Sequence, residues 1–299
     1  MKKEKIISIL AIVLCIIAVV ISIIRISNGK VIQLTQLSNN SSRQMMGYIL
    51  KTKNNKIIVI DGGTVDDTEN LVKQINKHGG KVDAWFLTHL HDDHLGAFSN
   101  IANDEKIQIG KIYCSFNDYS WYEENEPARA DFSKQILEIL KQDNIKDKVE
   151  EVSLNQVINI DDINIEILGI KNPEITENAG NEQSIVIKFD TGKTTFLVLG
   201  DTGIKSSEKL LSTQKEKLKS DIVQMSHHGQ NGATRELYEQ INPTICMWTA
   251  PEWLWNNDAG EGKGSGTWKT LETRQWMEEL NVKKNYVEKD GDITIKLKV

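Results

Sequence analysis

The sequence predicts an α/β protein: a four-layer sandwich of two packed sheets with helices on the outside, carried behind an N-terminal transmembrane helix. Three observations predict it. The first is an uncharged apolar run near the N-terminus. The second is a body in which short Ile/Val-rich segments alternate with amphipathic helical patterns in two successive halves. The third is a knot of histidines and aspartates where one strand pattern stops.

The apolar run is Ile6–Ile24, nineteen residues with no charge and two serines. At helical rise it spans about 28 Å, close to the hydrocarbon thickness of a bilayer. Lys2, Lys3 and Lys5 precede it, and Arg25 and Lys30 follow. The basic N-terminal flank favours a cytoplasmic N-terminus, with the rest of the chain extracellular. A cleaved signal peptide would need a shorter apolar region and a small-x-small site, which Arg25-Ile26-Ser27-Asn28-Gly29 does not offer. We therefore divide the chain into an anchor with its flanks, 1–29, and one catalytic domain, 30–299.

Within the body, strands are expected at Val31–Thr35, Met46–Lys51, Lys56–Asp61, Ala84–Thr88 and Lys111–Cys114. The second half adds Ile163–Leu168, Ser184–Phe189, Thr195–Leu199, Ile222–Met225, Thr244–Trp248 and Ile293–Leu297. Their β-branched content and flanking Gly, Asn and Asp support this reading. Helices are expected at Asp67–His78, Asp131–Gln142, Lys205–Leu211, Thr234–Gln240 and Thr267–Leu280. Spacings such as Phe132, Ile136, Leu137, Leu140 are those of one buried helical face. Two sheets packed together, with helices outside, would bury such a pattern.

Composition narrows the function. Of 299 residues, 39% are hydrophobic and 26% charged, so disorder and low complexity are excluded. The net charge of −6 argues against a nucleic-acid partner without excluding a local basic patch. The three cysteines, Cys15, Cys114 and Cys246, form no disulfide framework; the last two read as small buried residues.

The knot follows the apolar stretch Trp85-Phe86-Leu87-Thr88 and reads His89-Leu90-His91-Asp92-Asp93-His94. Half of the chain's six histidines lie here, and imidazole with carboxylate is a good donor set for zinc and similar divalent metals. His89 and His91 are two apart, so on an extended strand end they point the same way. Asp93 and His94 lie past the turn and can face a second metal, with the helix pattern resuming after Gly96. Two such cations can share a hydroxide and clamp both the attacking and the leaving oxygen.

This His-x-His-x-Asp-His run after an apolar strand resembles the signature of the metallo-β-lactamase superfamily. Other segments resemble its landmarks in order: Asp61-Gly62-Gly63 after a strand, Leu199-Gly200-Asp201 and Ser226-His227-His228-Gly229. The resemblance runs from about Val31 to Val299. It implies the fold of that family, two divalent metal ions (zinc by preference), and a hydrolase. His89 and His91 would hold one metal, Asp93 and His94 with His228 the other, Asp201 would bridge, and Asp61 would support the ligands. Asp93 and His227 are the groups expected in the chemistry itself, His227 at the substrate or as general acid. Adjacent strand-end residues point opposite ways, so only one of His227 and His228 need be a ligand; His228 is preferred.

One departure stands out: no histidine lies between His94 and His227, where many members carry another ligand. Asn181, Glu182 and Ser184 are the nearest replacements. The pattern with doubled histidine resembles the hydrolase domain of competence DNA-uptake proteins and the choline-phosphate esterases of teichoic acids. It implies hydrolysis of a phosphoester, from a small molecule or the cell envelope, by a metal-generated hydroxide. A nuclease, or a non-catalytic binding module of the same fold, is the alternative. Finally, Trp248, Trp253, Trp255 and Trp268 crowd a glycine-rich loop. Trp253 and Trp255 are candidates for an aromatic pocket wall suited to a quaternary ammonium group, with Asp258 and Glu261 adding negative charge and Trp121 and Tyr122 on an opposing loop.

Overall fold

The computed structural model of the chain describes residues 12–17, 31–104 and 106–299. Residues 12–17 are helical; the remainder of the apolar run Ile6–Ile24 lies outside the described residues. Among the described residues, no helix is long and apolar enough to cross a membrane.

The body forms two seven-stranded sheets. In chain order the first contains β1 (Ile32–Gln36), β2 (Gly47–Lys51), β3 (Ile57–Asp61), β4 (Lys81–Phe86), β5 (Gln108–Cys114) and β6 (Val149–Glu151). The second contains β7 (Val157–Ile160), β8 (Ile163–Gly169), β9 (Val186–Asp190), β10 (Thr195–Val198), β11 (Ile222–Gln224), β12 (Ile245–Trp248) and β13 (Lys284–Val287). The final strand, β14 (Ile293–Leu297), returns to the first sheet and pairs with β1, giving the orders β14-β1-β2-β3-β4-β5-β6 and β13-β12-β11-β10-β9-β8-β7.

The helices are α1 (Thr68–Lys77), α2 (Asp92–Ile101), α3 (Tyr119–Asn125), α4 (Ala130–Leu140), α5 (Ile204–Thr213), α6 (Arg235–Ile241), α7 (Glu252–Trp255) and α8 (Thr270–Glu279). Three apolar layers hold these elements together, and strand periodicity explains them. In β3, Ile57 and Val59 point into the layer shared with the helices of the first half. Ile58 and Ile60 point into the central layer, where they meet Ile165, Ile187 and Phe196 of the other sheet. A strand buried on both faces reads as a continuous apolar run. The third layer packs the outer face of the second sheet on Leu210, Leu237 and Met277 of its helices. Helix, sheet, sheet, helix is the expected sandwich.

Three differences from the sequence reading have physical causes. Strands β6, β7 and β13 were not expected. They are short, at or near sheet ends, with an alternating or largely exposed pattern, so they lack the apolar run that marks a central strand. Strand β4 ends at Phe86 rather than Thr88, because the Thr88 amide turns to the Asp61 carboxylate at 2.8 Å. Helix α2 begins at Asp92, inside the histidine knot, not after Gly96. Asp92 and Asp93 lie in its first turn, where negative charge suits the helix dipole. Gly96 is retained mid-helix because a Cβ there would lie 2.5 Å from the Val65 nitrogen and 2.7 Å from the Thr64 carbonyl carbon.

Strands β3, β4, β5 and β6 run parallel, as do β10, β11, β12 and β13. Their carboxyl ends lie where ligands collect in α/β sheets. Asp61 ends β3, the histidine knot follows β4, Asp201 follows β10, His227 and His228 follow β11, and Thr249 follows β12.

Candidate metal centre

Each histidine of the centre is fixed by its Nδ1, which leaves Nε2 to face inward. His94 Nδ1 meets Asp61 Oδ2 at 2.7 Å. His228 Nδ1 lies 2.9 Å from the Thr249 carbonyl, to which it can only donate. His89 Nδ1 lies 3.1 Å from Thr88 Oγ1 and 3.3 Å from Ser184 Oγ. Asp61 itself is saturated, accepting from the Thr88 amide at 2.8 Å, the Thr88 hydroxyl at 2.6 Å and His94. It adopts a left-handed backbone (φ 50°), which Asp tolerates better than most residues.

The inward atoms converge. His94 Nε2 is 3.2 Å from Asp201 Oδ1, and His228 Nε2 is 3.3 Å from Asp93 Oδ2 and 3.5 Å from Asp201 Oδ2. His89 Nε2 is 3.9 Å from Asp201 Oδ2. Two groups have their donor atoms within 4.8 Å of one another: His89, His94, Asp201, and Asp93, His94, His228. All five residues are buried.

Close as they are, these atoms do not satisfy one another. His89 Nε2, His94 Nε2, His228 Nε2, Asp93 Oδ1 and Asp201 Oδ1 are buried without a hydrogen-bond partner. An unsatisfied buried polar atom costs about 1–3 kcal/mol. Five together would consume roughly the net stability of a whole domain, about 5–15 kcal/mol. A cation accepting these lone pairs removes the cost, so the donor set fits a divalent metal. The carboxylates that would face a cation also favour a proton on His94. Burial opposes the charged ring, but Asp201 and Asp61 outweigh it and raise its pKa well above the usual value, so a cation would bind there in place of that proton. Burial works against the ionised Asp201, but His94 and His228 outweigh it and hold its carboxyl well below the usual range. Burial also pushes the His89 imidazole down, aided by His94 and His91, which keeps a neutral ring available as a ligand.

The two last histidines do not alternate as strand residues would. Both have left-handed backbone, φ 50° at His227 and 58° at His228, and this turns both rings toward Asp201: His227 Nε2 lies 3.9 Å from the same Oδ2. The strain persists because the turn is over-determined. The His227 amide donates to the Gly200 carbonyl at 3.1 Å, the Ser226 amide to Tyr238 Oη at 3.0 Å and the Ser226 hydroxyl to the Thr202 carbonyl at 2.6 Å. His228 joins the metal group, whereas His227 stands at its open edge, its Nε2 3.3 Å from Asn181 Nδ2.

Other expected site residues lie elsewhere. His91 belongs to neither donor group; its Nε2 meets Glu126 Oε1 at 2.8 Å. Ser184 is buried beneath the centre, its hydroxyl accepting from the Asp201 amide at 2.9 Å. Glu182 caps α5 by accepting from the amides of Lys205 and Ser206 at 3.1 and 2.8 Å. Trp255 is engaged internally, edge-on to Trp248 at 5.2 Å with Arg274 3.9 Å over its face. Trp248 lies on strand β12, and Trp253 and Trp255 lie on helix α7 rather than on a loop. Trp253 packs on Trp268 and donates to the Ser42 carbonyl at 2.7 Å, which ties that helix to the segment beside Arg43. Asp258 shapes its own loop, accepting from the amides of Gly260 and Gly262. Trp121 and Tyr122 belong to helix α3 rather than a loop, and Tyr122 is fully buried.

Several residues near the centre carried no sequence signal. Gln44 donates to Asp93 Oδ2 at 2.9 Å and accepts from Gln230 at 3.0 Å. Arg43 and Arg129 grip Asp92 at 2.5 and 3.0 Å from two different elements, both half-exposed at the rim. Glu126 sits among unremarkable acidic residues, with nothing in its neighbours to single it out.

With the geometry established, comparison with known proteins agrees. The sequence matches the Metallo-beta-lactamase superfamily over residues 47–243, and the chain belongs to that superfamily. ComE operon protein 3 of Bacillus subtilis (strain 168) is 25% identical over 171 residues, 57% of this chain and 20% of that protein. The chain thus matches about a fifth of that relative's length. Among solved structures, the metallo-beta-lactamase fold protein YhfI from Bacillus subtilis has a TM-score of 0.55 at 10% identity, covering 89% of this chain and 100% of its own. Unliganded yeast PDE1 has a TM-score of 0.56 at 13% identity, with the same coverage of both chains. At such identities the likeness is one of fold.

Proposed function

We propose that this superfamily hydrolase is a divalent-metal-dependent phosphoesterase, with zinc the first candidate metal. The observation that carries the reading is the convergence of orphaned Nε2 and carboxylate oxygen atoms from His89, His94, His228, Asp93 and Asp201. A bound cation supplies Lewis acidity and lowers the pKa of water near the scissile bond.

The residues of the chain do the rest. Asp61 and the Thr249 carbonyl, which accept only, fix the tautomers of His94 and His228, and Thr88 and Ser184 orient the His89 ring. His227 Nδ1 lies 3.2 Å from the Asn231 carbonyl and therefore carries the proton, which leaves the Nε2 lone pair to accept from Asn181 Nδ2 at 3.3 Å. That disposition suits a proton acceptor, once substrate or water displaces the Asn181 amide, better than the acid role expected from the sequence. Arg43 and Arg129 share the single carboxylate of Asp92, and the excess positive charge this leaves at the rim favours an anionic substrate.

The test is release of nitrophenol from bis-nitrophenyl phosphate and nitrophenyl phosphorylcholine, with nitrocefin as the lactam control. Turnover of a phosphoester that falls by about 100-fold or more in Asp201→Ala is expected, from loss of a group on the reacting centre. Equal turnover by parent and variant would refute the mechanism. The doubled-histidine pattern Ser226-His227-His228-Gly229, which resembles that of DNA-uptake hydrolase domains, supports one second reading, a nuclease, and degradation of DNA in the same buffer would promote it.

We also propose that Ile6–Ile24 tethers the chain to the bilayer, with the hydrolase outside facing a cell-envelope or small-molecule phosphoester. Resistance of the full chain to alkaline extraction from membranes, together with cleavage of the body by external protease on intact cells, is the expected result.

A further inference from the structure

The sequence leads one to expect a pair of cations, and the fold supplies ligands for the two places very unequally. Asp93, His94 and His228 form one group, and Asp201 stands against it, 3.2 Å from His94 and 3.5 Å from His228. That is four protein donors. The other group is His89, His94 and Asp201. Both groups draw on His94 Nε2, and one nitrogen lone pair serves one cation. Once His94 is committed to the richer group, the other retains His89 and a shared Asp201.

Among the described residues, no further His, Cys, Asp or Glu joins that pair. His91, the second ligand the sequence assigns to this place, has its Nε2 on Glu126 Oε1 at 2.8 Å. The pair is clamped by the loop at Gly180, where a Cβ would lie 2.3 Å from His91 Nε2 and 2.2 Å from Glu126 Oε2. Of the candidates to replace the absent histidine, Glu182 caps α5 and Ser184 accepts from the Asp201 amide. Asn181 keeps a buried, unpartnered Oδ1 while its Nδ2 donates to Asn178 Oδ1 at 2.9 Å, and a neutral amide oxygen is a weaker donor for zinc than the imidazole it would replace.

We infer that the chain holds one tightly bound divalent cation, between Asp93, His94, His228 and Asp201, and that Glu126 is a positioning residue that draws His91 away from a second site. The inference rests on the metal-dependent reading above and departs from it in stoichiometry. Single occupancy leaves the ground beside His89 for a substrate oxygen or water, next to His227 and Asn181.

The test is calorimetric titration of the metal-stripped full chain with Zn(II), repeated with Mn(II), with native mass spectrometry for stoichiometry. One equivalent should bind at least about 100-fold more tightly than any second, as four donors against two imply. His228→Ala should abolish the tight equivalent, and His91→Ala should leave it within about threefold. Glu126→Ala, which frees His91, should strengthen the second equivalent by about tenfold or more, the scale on which partners of ligands act. In His91→Ala/Glu126→Ala that gain should vanish. Two equivalents of comparable affinity in the parent would overturn the inference, as would a second equivalent that Glu126→Ala leaves unchanged or weakens. If Glu126→Ala does not fold, the parent stoichiometry and the His91→Ala titration decide alone. A parent chain that takes up no cation at all would instead defeat the metal-dependent reading.

Discussion

Asp61 Oδ2 and His94 Nδ1 meet at 2.7 Å across a sequence separation of 33 residues, and this contact decides which nitrogen of His94 faces the centre. Both side chains are fully buried. Replacing Asp61 by Ala removes the acceptor and frees the ring to rotate. The affinity for Zn(II) should fall by about 10–100-fold. Calorimetry checks this, and an unchanged affinity would show that packing alone orients the ring. In the parent, removing metal with a chelator should lower the thermal midpoint. A cation at 1,000 times its Kd adds about 4 kcal/mol.

Gly229 has φ 82°, and a Cβ there would lie 2.3 Å from the Trp248 ring. Both the backbone and the space exclude a side chain. Gly229→Ala should destabilise the protein by roughly 2–4 kcal/mol, combining positive-φ strain with overpacking, and should displace His228. Urea unfolding measures the first effect and metal titration the second. A variant as stable as the parent would mean that the turn is softer than its geometry implies.

Glu288 is fully buried, with one carboxylate oxygen accepting from the Asn39 amide at 3.1 Å and the other unpartnered. Burial, reinforced by Asp67, raises its pKa well above the ordinary value of 4.5. The sign follows. In the window above 4.5 the folded state keeps a proton that the unfolded chain has lost, so stability drops as pH rises through the raised value, at up to about 1.4 kcal/mol per pH unit. Glu288→Gln should flatten that slope and be relatively more stable at pH 8 than at pH 5. Denaturant midpoints across this range are the measurement, and parallel curves for parent and variant would exclude Glu288 as the source.

Trp255 separates packing from recognition. With Arg274 over one face and Trp248 at its edge, Trp255→Ala should cost about 2–4 kcal/mol of stability, less than a fully buried tryptophan. The KM for a phosphoester should stay within about twofold. A raised KM at unchanged stability would return this ring to the substrate pocket.

Much of the architecture was legible because central strands and amphipathic helices carry strong local patterns. Ile57–Asp61 reads as a buried strand wherever it is placed, and β14 was expected with its observed bounds. The knot after β4 announced itself by composition alone. The edge strands were silent, since Lys284–Val287 is mostly exposed and needs only one neighbour. The tryptophan-rich segment misled for a related reason. Ring content shows that a segment is adhesive, and only the fold shows that Arg274 and Trp248 already occupy Trp255.

What the sequence by itself determined is the donor inventory and the chain positions that carry it, because metal chemistry restricts which side chains will serve. What only the tertiary structure decided is their allocation. His91 is drawn to Glu126 35 residues away, His227 and His228 turn to one side through a left-handed backbone, and Ser184 lies beneath Asp201. Those outcomes depend on distances between distant segments, and a periodicity that orients neighbours along one strand holds no information about them.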